Sequence, residues 1–204
     1  MAKQEQKDIK QRIEQGEFAQ SAEISASYLD EDILIIDNIK VLANPDPVRL
    51  QMNMIASCQK GNLKMEVNGK TVEVGKNDIF VCPPNSVVDI IEFSSDFTCV
   101  ALCVTNHGMQ NILRSHINVW NRAMYVDKVS VIRMTSEEML FYAKFTELVR
   151  LCLDEERMEH SSWNPYRREI VETLLKTALL ALCNAFTTPA TFCSRASWPL
   201  WPTP

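Results

Sequence analysis

The sequence predicts a mainly β fold with C-terminal α-helices, in which the β part is an antiparallel sandwich or barrel, most consistent with a jelly roll of about eight strands. Short apolar runs recur between residues 48 and 104 and are separated by turn sequences. One of these turns is Asn68-Gly69, which tolerates the positive φ angles of a tight hairpin. After Asn106 the spacing of apolar residues changes from the period of a strand to that of a helix.

The stretch 48–58 shows the clearest alternation of apolar and polar residues, which predicts a half-buried strand. Arg49, Gln51, Asn53 and Ser57 are expected on its outer face. The positions expected to face inward are Val48, Leu50, Met52, Met54, Ala56 and Cys58. Alternation resumes at 63–67 and continues after the hairpin at 72–74, and further strands are predicted at 78–82 and 87–93.

Two further regions complete the predicted sheet. Residues 97–105 are almost entirely apolar, so this strand is expected to be covered on both faces. Near the N-terminus, 27–29 leads into apolar runs at 33–36 and 39–42, which read as the first strand or two.

The chain of 204 residues, 46% of them hydrophobic, is long enough for one core with a helical appendage. We expect a polar N-terminal segment at 1–27, a β-barrel at 28–105, a helical dimerisation or linker region at 106–186 and an irregular tail at 187–204. The N-terminal segment is compatible with a short helix or a frayed end.

The helical region begins at Asn106, a candidate cap for a short helix with Met109, Ile112, Leu113 and His116 on one face. The stretch 120–134 reads as a connector. Thr135 and Glu138 then have the spacing of a capping box, and the helix is expected to end near residue 156 or 158. Lys144, Glu147 and Arg150 are expected on its solvent side.

Asn164-Pro165 predicts the start of a last helix, whose second half is apolar on all sides and therefore needs a large covering surface. A second copy of the chain is the economical partner, which predicts a homodimer. The residues expected at the dimer interface are Phe141, Phe145, Leu148, Cys152, Leu175, Leu179 and Leu182.

The net charge of −5 and the isoelectric point near 5.3 argue against direct nucleic-acid binding by this chain, because no basic stripe is present. The N-terminus lacks the apolar centre of a signal peptide, and the run 174–186 is too short to cross a bilayer. The cysteines occupy strand and helix positions without the Cys-x-x-Cys spacing, so we expect buried reduced thiols in a cytoplasmic protein.

No residue pattern predicts catalysis, a metal or a cofactor. His107, His116 and His160 all follow the strands, whereas a metal site in a barrel needs several imidazoles on neighbouring inward positions. A thiol nucleophile among Cys58, Cys82, Cys99 and Cys103 would need a nearby basic partner, which these strands do not allow us to predict, so core thiols are expected. The acidic runs at 30–32, 137–138 and 154–156 lie at element ends and read as solvated or capping charges.

A ligand pocket without visible chemistry is the remaining candidate site. If the barrel is open at one end, its inward-facing apolar side chains would line a cavity suited to an apolar ligand. The residues predicted to line it are Leu50, Met52, Met54, Leu63, Met65, Val67, Phe80 and Phe97. The alternative is that the methionines among them fill the core, and a register error of one residue would exchange the two faces.

Several segments resemble the N-terminal half of AraC-type bacterial transcription regulators, especially versions from the Bacteroides group. They are Leu34-Ile35-Ile36-Asp37-Asn38-Ile39, the stretch 48–56 leading to Gly61, the stretch 77–85, and Asn164-Pro165-Tyr166-Arg167-Arg168-Glu169. The likeness spans residues 30–186.

The resemblance implies a cupin-like barrel that senses a small-molecule effector and dimerises, followed in the family by a DNA-binding half with two helix-turn-helix units. Residues 187–204 hold four prolines and no candidate recognition helix, so the DNA-binding half is expected to be absent, as in a truncated or frame-shifted gene. Such a chain would act through mixed dimers with an intact relative. A cupin-type enzyme and a free-standing small-molecule binding protein are the alternatives.

Overall fold

The computed structural model describes residues 26–29, 32–36, 39, 47–128, 130–153 and 166–187. Within these ranges ten strands form two antiparallel sheets. The strands are β1 (Ala26–Leu29), β2 (Ile33–Ile36), β3 (Val48–Arg49), β4 (Asn53–Lys60), β5 (Leu63–Val67), β6 (Lys70–Val74), β7 (Asp78–Cys82), β8 (Val87–Phe93), β9 (Thr98–Val104) and β10 (Val131–Arg133).

The order of the strands is that of a jelly roll. Sheet one runs β1-β2-β9-β4-β7-β10 and sheet two runs β3-β8-β5-β6. When the edge strands β1 and β10 are set aside, each sheet holds four of the eight strands β2 to β9. Along these eight strands, every connection between consecutive strands crosses from one sheet to the other, except the β5–β6 hairpin. The predicted fold class, a mainly β jelly-roll barrel followed by helices, is confirmed.

Local turn chemistry places several strand ends where the sequence predicts them. Asn68 and Gly69 have φ angles of 51° and 78° and join β5 to β6 in the predicted hairpin. Gly61, with φ of 71°, follows β4, and a Cβ there would lie 2.7 Å from the Cα of Phe97. Only glycine satisfies both the backbone angle and this close approach.

Sheet one is buried on both faces. The inward positions of the 48–58 stretch lie in the core between the sheets, as predicted, although the strand is interrupted between β3 and β4. The other face is not solvated as predicted, because Ile55 and its neighbours pack against helices. Double coverage also explains the near-continuous apolar sequences of β7 and β9.

The described part of the chain also holds four α-helices, namely α1 (Asn106–Leu113), α2 (Ile117–Asn121), α3 (Ser136–Leu153) and α4 (Arg167–Thr187). The side chain of Thr105, not Asn106, caps α1 by accepting a hydrogen bond from the Gly108 amide at 3.0 Å. Because α1 ends at Leu113, and Arg114 has a positive φ of 44°, the predicted inward position of His116 is wrong and that side chain is exposed. The predicted connector contains α2, a π-helical turn at Arg122–Val126 and β10.

The capping box at the start of α3 is confirmed. The Glu138 carboxylate accepts a hydrogen bond from the Thr135 amide at 2.7 Å, and the Thr135 hydroxyl accepts one from the Glu138 amide at 3.2 Å. Helix α3 exposes two of the residues predicted at the dimer interface, Phe141 and Leu148, at 43% and 50%. The residues on its buried face are Met139, Tyr142, Phe145, Val149 and Cys152.

The apolar second half of α4 is covered by the same chain. Helix α4 packs against α1 and α3, and Leu175, Leu179 and Leu182 are at most 1% exposed within one core with the outer face of sheet one. A partner subunit is therefore not needed to explain the burial of these residues. Among the described helices, none combines the length and apolar content required to cross a membrane.

Several predictions lie outside the described residues. They concern most of the segment 1–27, the strand at 40–42, the turn at 44–46, the end of α3 beyond residue 153, the Asn164-Pro165 cap, His160 and the tail from 188 onwards.

Candidate functional site

The eight residues predicted to line a ligand pocket come together in the structure. All belong to the core between the two sheets, and their side chains are between 0% and 8% exposed. Arg49 is exposed and Asn53 lies on the opposite face of sheet one, so the predicted register is correct. None of the eight lines either of the two cavities that lie on the outer face of that sheet.

The larger cavity, called the outer cleft here, lies between sheet one and α3 and has a volume of about 250 Å³. It is lined by Gln59, Val100, Ala143, Thr146, Glu147, Arg150 and Leu151. Gln59 and Val100 come from the neighbouring strands β4 and β9, and the other five residues come from α3. The outer cleft exists because a cylindrical helix resting on a twisted sheet leaves a wedge at one side.

The smaller cavity, called the inner gap here, has a volume of about 30 Å³ and lies deeper between the same sheet and helices α3 and α4. Val100 and Thr146 line both cavities, so the two are neighbours. The lining of the inner gap is mainly apolar and comprises Ile35, Ile55, Ser57, Ile79, Val100, Leu102, Tyr142, Phe145, Thr146, Ala178, Leu179 and Leu182.

Hydrogen bonds already occupy the polar groups of the inner gap. The Ser57 hydroxyl donates to the Val100 carbonyl at 3.3 Å, and the Tyr142 hydroxyl donates to the Ala178 carbonyl at 3.1 Å. Burial raises the pKa of Tyr142, and the nearby Glu138 charge adds to this effect. The inner gap therefore presents an uncharged surface at neutral pH.

The outer cleft is the more polar of the two. Arg150 is half-buried there, and burial lowers the pKa of its guanidinium. Arginine nevertheless remains protonated in proteins, because its intrinsic pKa is so high. The Glu147 carboxylate is 2.9 Å from the ammonium group of Lys144, and the Thr146 hydroxyl donates to the Tyr142 carbonyl at 2.8 Å.

A buried polar cluster connects sheet one to the helices. The Asn53 amide donates to the Val104 carbonyl at 3.2 Å and to the Asn106 side chain at 3.1 Å, and its oxygen accepts from the indole N–H of Trp120 at 3.2 Å. The ring of Trp120 also makes an edge contact with Phe186 near the end of α4, at a centroid distance of 5.8 Å. The cluster thus joins β4, α2 and the C-terminal part of α4.

Sequence reasoning missed this cluster, because Asn53 was expected on a solvated face. An asparagine among the apolar residues of β4 and a tryptophan in a polar connector were the available signals. Each side chain finds its hydrogen-bonding partner only when sheet one and the helices pack together.

The predicted dimer-interface residues separate into two groups. Phe145, Cys152, Leu175, Leu179 and Leu182 are buried within the chain itself, whereas Phe141 and Leu148 are accessible. Leu140 and Leu151 are accessible too, at 61% and 43% exposure. These exposed apolar residues lie along one side of α3 with Lys144 and Glu147 between them. The exposed stripe consists of Leu140, Phe141, Lys144, Glu147, Leu148 and Leu151.

The cysteines among the described residues are buried and form no disulfide, as predicted. Burial raises the pKa of Cys58 to about 12 and that of Cys82 to about 11. At neutral pH these thiols carry almost no thiolate, the form needed for nucleophilic attack.

Histidines and carboxylates do not converge in the described part of the chain. His107 and His116 are exposed, and no group of three or more His, Cys, Asp or Glu side chains among the described residues is placed to hold a metal ion. Asp32 accepts a hydrogen bond from the Thr105 hydroxyl and lies 3.8 Å from the Arg168 guanidinium. This carboxylate therefore ties the start of α1 to the start of α4.

Comparison with known proteins gives similarity at the level of structure. No protein-family model matches the chain, and no curated protein sequence matches it significantly. Similar solved structures include cupin domains and AraC-like regulators. KdgF from Halomonas sp. is 14% identical with a TM-score of 0.33, and the similarity covers 43% of this chain and 84% of that protein.

Two of the similar structures are regulators. The AraC-like transcriptional activator CuxR is 12% identical with a TM-score of 0.40, over 79% of this chain and 58% of CuxR. ToxT K231A from Vibrio cholerae is 9% identical with a TM-score of 0.45, over 83% of this chain and 57% of ToxT. The chain thus spans less than two thirds of either regulator, and similarities of this size carry no conclusion about function.

Proposed function

We propose that this chain is the effector-sensing and dimerisation module of an AraC-type transcription regulator. The sequence resemblance at 34–39, 48–56, 77–85 and 164–169 supports the family, and a jelly roll followed by packed helices is the architecture that the resemblance implies. The observation that carries the dimerisation role is the exposed stripe on α3.

The exposed stripe is self-complementary. Leu140, Lys144, Glu147 and Leu151 are spaced by four, three and four residues, which keeps them on one side of the helix. Read from the opposite end, the pattern is again an apolar residue, two charges and an apolar residue, but with the signs of the two charges exchanged. A two-fold axis midway between Lys144 and Glu147 therefore matches this stripe with a second copy of itself.

In the proposed antiparallel pair, Leu140 faces Leu151 of the partner subunit. Lys144 likewise faces Glu147 of the partner subunit, so two ion pairs form across the axis. Phe141 and Leu148 lie beside this row and extend the apolar contact. Such an interface is isologous, as expected for a C2 dimer.

The exposed stripe can bury roughly 400 Å² of apolar surface across the two copies, which contributes on the order of 10 kcal/mol before the costs of association. Those costs are about 4 to 15 kcal/mol, so this helix pair alone supports a dimer of moderate affinity. A moderate dimer suits a sensing module, because a small free-energy change can shift its equilibrium.

Helix α3 is well placed to pass on such a change. It packs on sheet one and on α4, and the end of α4 contacts Trp120. A ligand that favours one arrangement of these helices would change how α3 meets its partner and how α4 is oriented. In AraC-type regulators the DNA-binding half follows these helices.

A charge-swap series tests the dimerisation role. We expect the wild-type protein to be dimeric at high micromolar concentration in analytical ultracentrifugation. Lys144→Glu places two acidic pairs across the axis, and Glu147→Lys places two basic pairs, so either change should weaken the dimer roughly five- to tenfold. The double variant restores opposite charges and should recover most of the lost affinity.

Ile91→Glu is the matched control, because Ile91 is 52% exposed on β8, away from the exposed stripe, and its replacement should leave the dimer unchanged. A wild-type protein that stays monomeric at high concentration would contradict the proposal. So would two single charge variants that dimerise as well as the wild type.

A further inference from the structure

We propose that the inner gap is a binding site for a small uncharged apolar molecule, which enters by way of the outer cleft. The inner gap lies where sheet one meets α3 and α4. Binding itself follows from the lining and size of the inner gap, whereas the role of the bound molecule as an effector rests on the proposed function.

The lining of the inner gap favours an apolar ligand. None of its twelve lining residues is charged, and nine of them have aliphatic or aromatic side chains without a polar atom. The other three are Ser57, Tyr142 and Thr146, each with one hydroxyl group. Burial raises the pKa of Tyr142, so its hydroxyl is also uncharged at neutral pH.

The three hydroxyl groups have no proton left for a ligand. Those of Ser57 and Tyr142 donate to the carbonyls of Val100 and Ala178, and that of Thr146 donates to the Tyr142 carbonyl. Because each hydroxyl carries a single proton, a ligand carbonyl or carboxylate would receive no hydrogen bond from these side chains. Burying such a group without a partner is costly, which excludes anions and most polar ligands.

Water is a poor occupant for the same reason. At about 30 Å³ the inner gap exceeds the roughly 10 to 15 Å³ that one water requires, so size alone does not exclude water. A buried water typically makes about three hydrogen bonds, however, and apolar cavities stay dry. An apolar molecule loses no hydrogen bond on entering and gives the lining side chains the dispersion contacts that they lack.

The volume limits the ligand to very few heavy atoms. An apolar cavity of about 150 Å³ binds benzene, and the inner gap is much smaller. A xenon atom or a short alkane is therefore the kind of molecule that fits without moving a helix.

The outer cleft provides the route of entry. Val100 and Thr146 line both cavities, and Gln59 and Ala143, which line the outer cleft, are exposed. The inner gap thus lies behind a surface that solvent already reaches. Entry requires the movement of side chains, not the separation of strands.

Occupancy of the inner gap is coupled to the exposed stripe through α3. Phe145 and Thr146 line the gap, and they lie between Lys144 and Glu147 of the stripe. A ligand that fills the gap holds this part of α3 against sheet one. Because a rigid helix loses less conformational freedom on pairing, occupancy should tighten the dimer, and dimerisation should raise ligand affinity by the same factor.

The test is a methyl ¹H–¹³C NMR titration of the full chain with dissolved xenon. We expect saturable shifts at the methyl groups of Ile55, Ile79 and Leu179. Helium at the same pressure is the control for pressure, because it is far less polarisable and should cause no saturable shift. Shifts centred on Met52 and Met65 in the jelly-roll interior, or shifts that do not saturate, would overturn the proposal.

Two variants fill the inner gap without removing a contact. Ser57→Thr adds one methyl group and keeps the hydroxyl that donates to the Val100 carbonyl, and Val100→Ile adds one methylene group on the neighbouring strand. Each should weaken xenon binding at least fivefold, and Ser57→Thr should raise the melting temperature by about 2 °C. Ser95→Thr is the matched control, because it adds the same methyl group at an exposed turn. Unchanged xenon affinity in both filling variants would refute the site.

The titration is repeated with Leu140→Glu, which disrupts the exposed stripe at a residue outside the inner gap. Saturable xenon binding by this variant supports the site even if the wild-type protein proves monomeric. A dimeric wild type without saturable xenon shifts leaves the proposed function standing and refutes the site. Analytical ultracentrifugation of Ser57→Thr, whose gap is permanently filled, tests the coupling: its dimer should be at least twofold tighter than that of the wild type, and equal dissociation constants would refute the effector role.

Discussion

Replacing Asn53 with alanine tests the cluster that joins sheet one to the helices. Asn53 is 1% exposed and takes part in three hydrogen bonds, and Trp120 is also 1% exposed. The change leaves the indole N–H and the Asn106 side chain without this partner. A buried polar group that loses its partner costs about 1 to 3 kcal/mol, so we expect the free energy of unfolding to fall by about 2 to 4 kcal/mol.

The assay is equilibrium urea denaturation, followed by far-ultraviolet circular dichroism and by tryptophan fluorescence, to which Trp120 contributes together with the three other tryptophans of the chain. In a chain of this length each 1 kcal/mol corresponds to about 2 to 4 °C in Tm, so the melting temperature should fall by about 5 to 15 °C. Asn111→Ala is the matched control, because Asn111 is exposed and its side chain bonds only to exposed His107 among the hydrogen bonds described.

Trp120→Phe completes the comparison. It removes the indole donor and reduces the contact with Phe186, so the single variant should also destabilise the protein. In the double variant the Asn53 oxygen and the indole N–H are both absent. The losses of unfolding free energy in the two single variants should therefore add up to about 1 kcal/mol more than the loss measured in the double variant. A loss below 1 kcal/mol for Asn53→Ala, or strictly additive effects, would refute the reasoning.

Two other predictions follow from the backbone and from the buried thiols. Gly69→Ala should lower the free energy of unfolding by about 1 kcal/mol, because Gly69 has a φ of 78°. Gly61→Ala should lower it clearly more, since the new Cβ would also lie 2.7 Å from the Phe97 Cα. Thermal denaturation of the two variants measures the difference, and equal losses of stability would contradict the prediction. Cys58 and Cys82 have raised pKa values of about 12 and 11, so the unfolded chain releases their protons first as pH rises. The two thiols therefore contribute their full stabilisation below pH 9, which is about their pKa in the unfolded chain. Above pH 9 the free energy of unfolding falls by up to about 1.4 kcal/mol per thiol for each pH unit. Urea denaturation between pH 8 and about 10.5 checks this, and Cys58→Ala should flatten the decline.

The sequence alone predicted the strands whose limits depend on local chemistry. The hairpin at Asn68-Gly69 and the bounds of β7 and β8 agree with the structure, because turn residues act on their immediate neighbours. The capping box at Thr135 is correct for the same reason. These features need no knowledge of distant parts of the chain.

The features that depend on packing were not predictable in this way. Helical spacing showed that α3 has an apolar face, but Phe141 and Leu148 satisfy that spacing as well as Tyr142 and Val149 do. Only contact with sheet one and α4 decides which set is buried. Arg150 was expected in solvent for the same reason, although it lines the outer cleft.

Double burial of sheet one accounts for the position of the candidate site. A jelly roll can enclose a ligand between its sheets, but here methionine, leucine and phenylalanine side chains fill that space. The outer face of sheet one is equally apolar, so the helices must cover it, and they cover it with side chains of unequal length. The incomplete fit lies where α3 meets β4 and β9, beside the exposed stripe on α3. The outer cleft therefore borders the surface through which two copies are proposed to associate, so a change at this place would reach that surface without a signal having to cross the barrel.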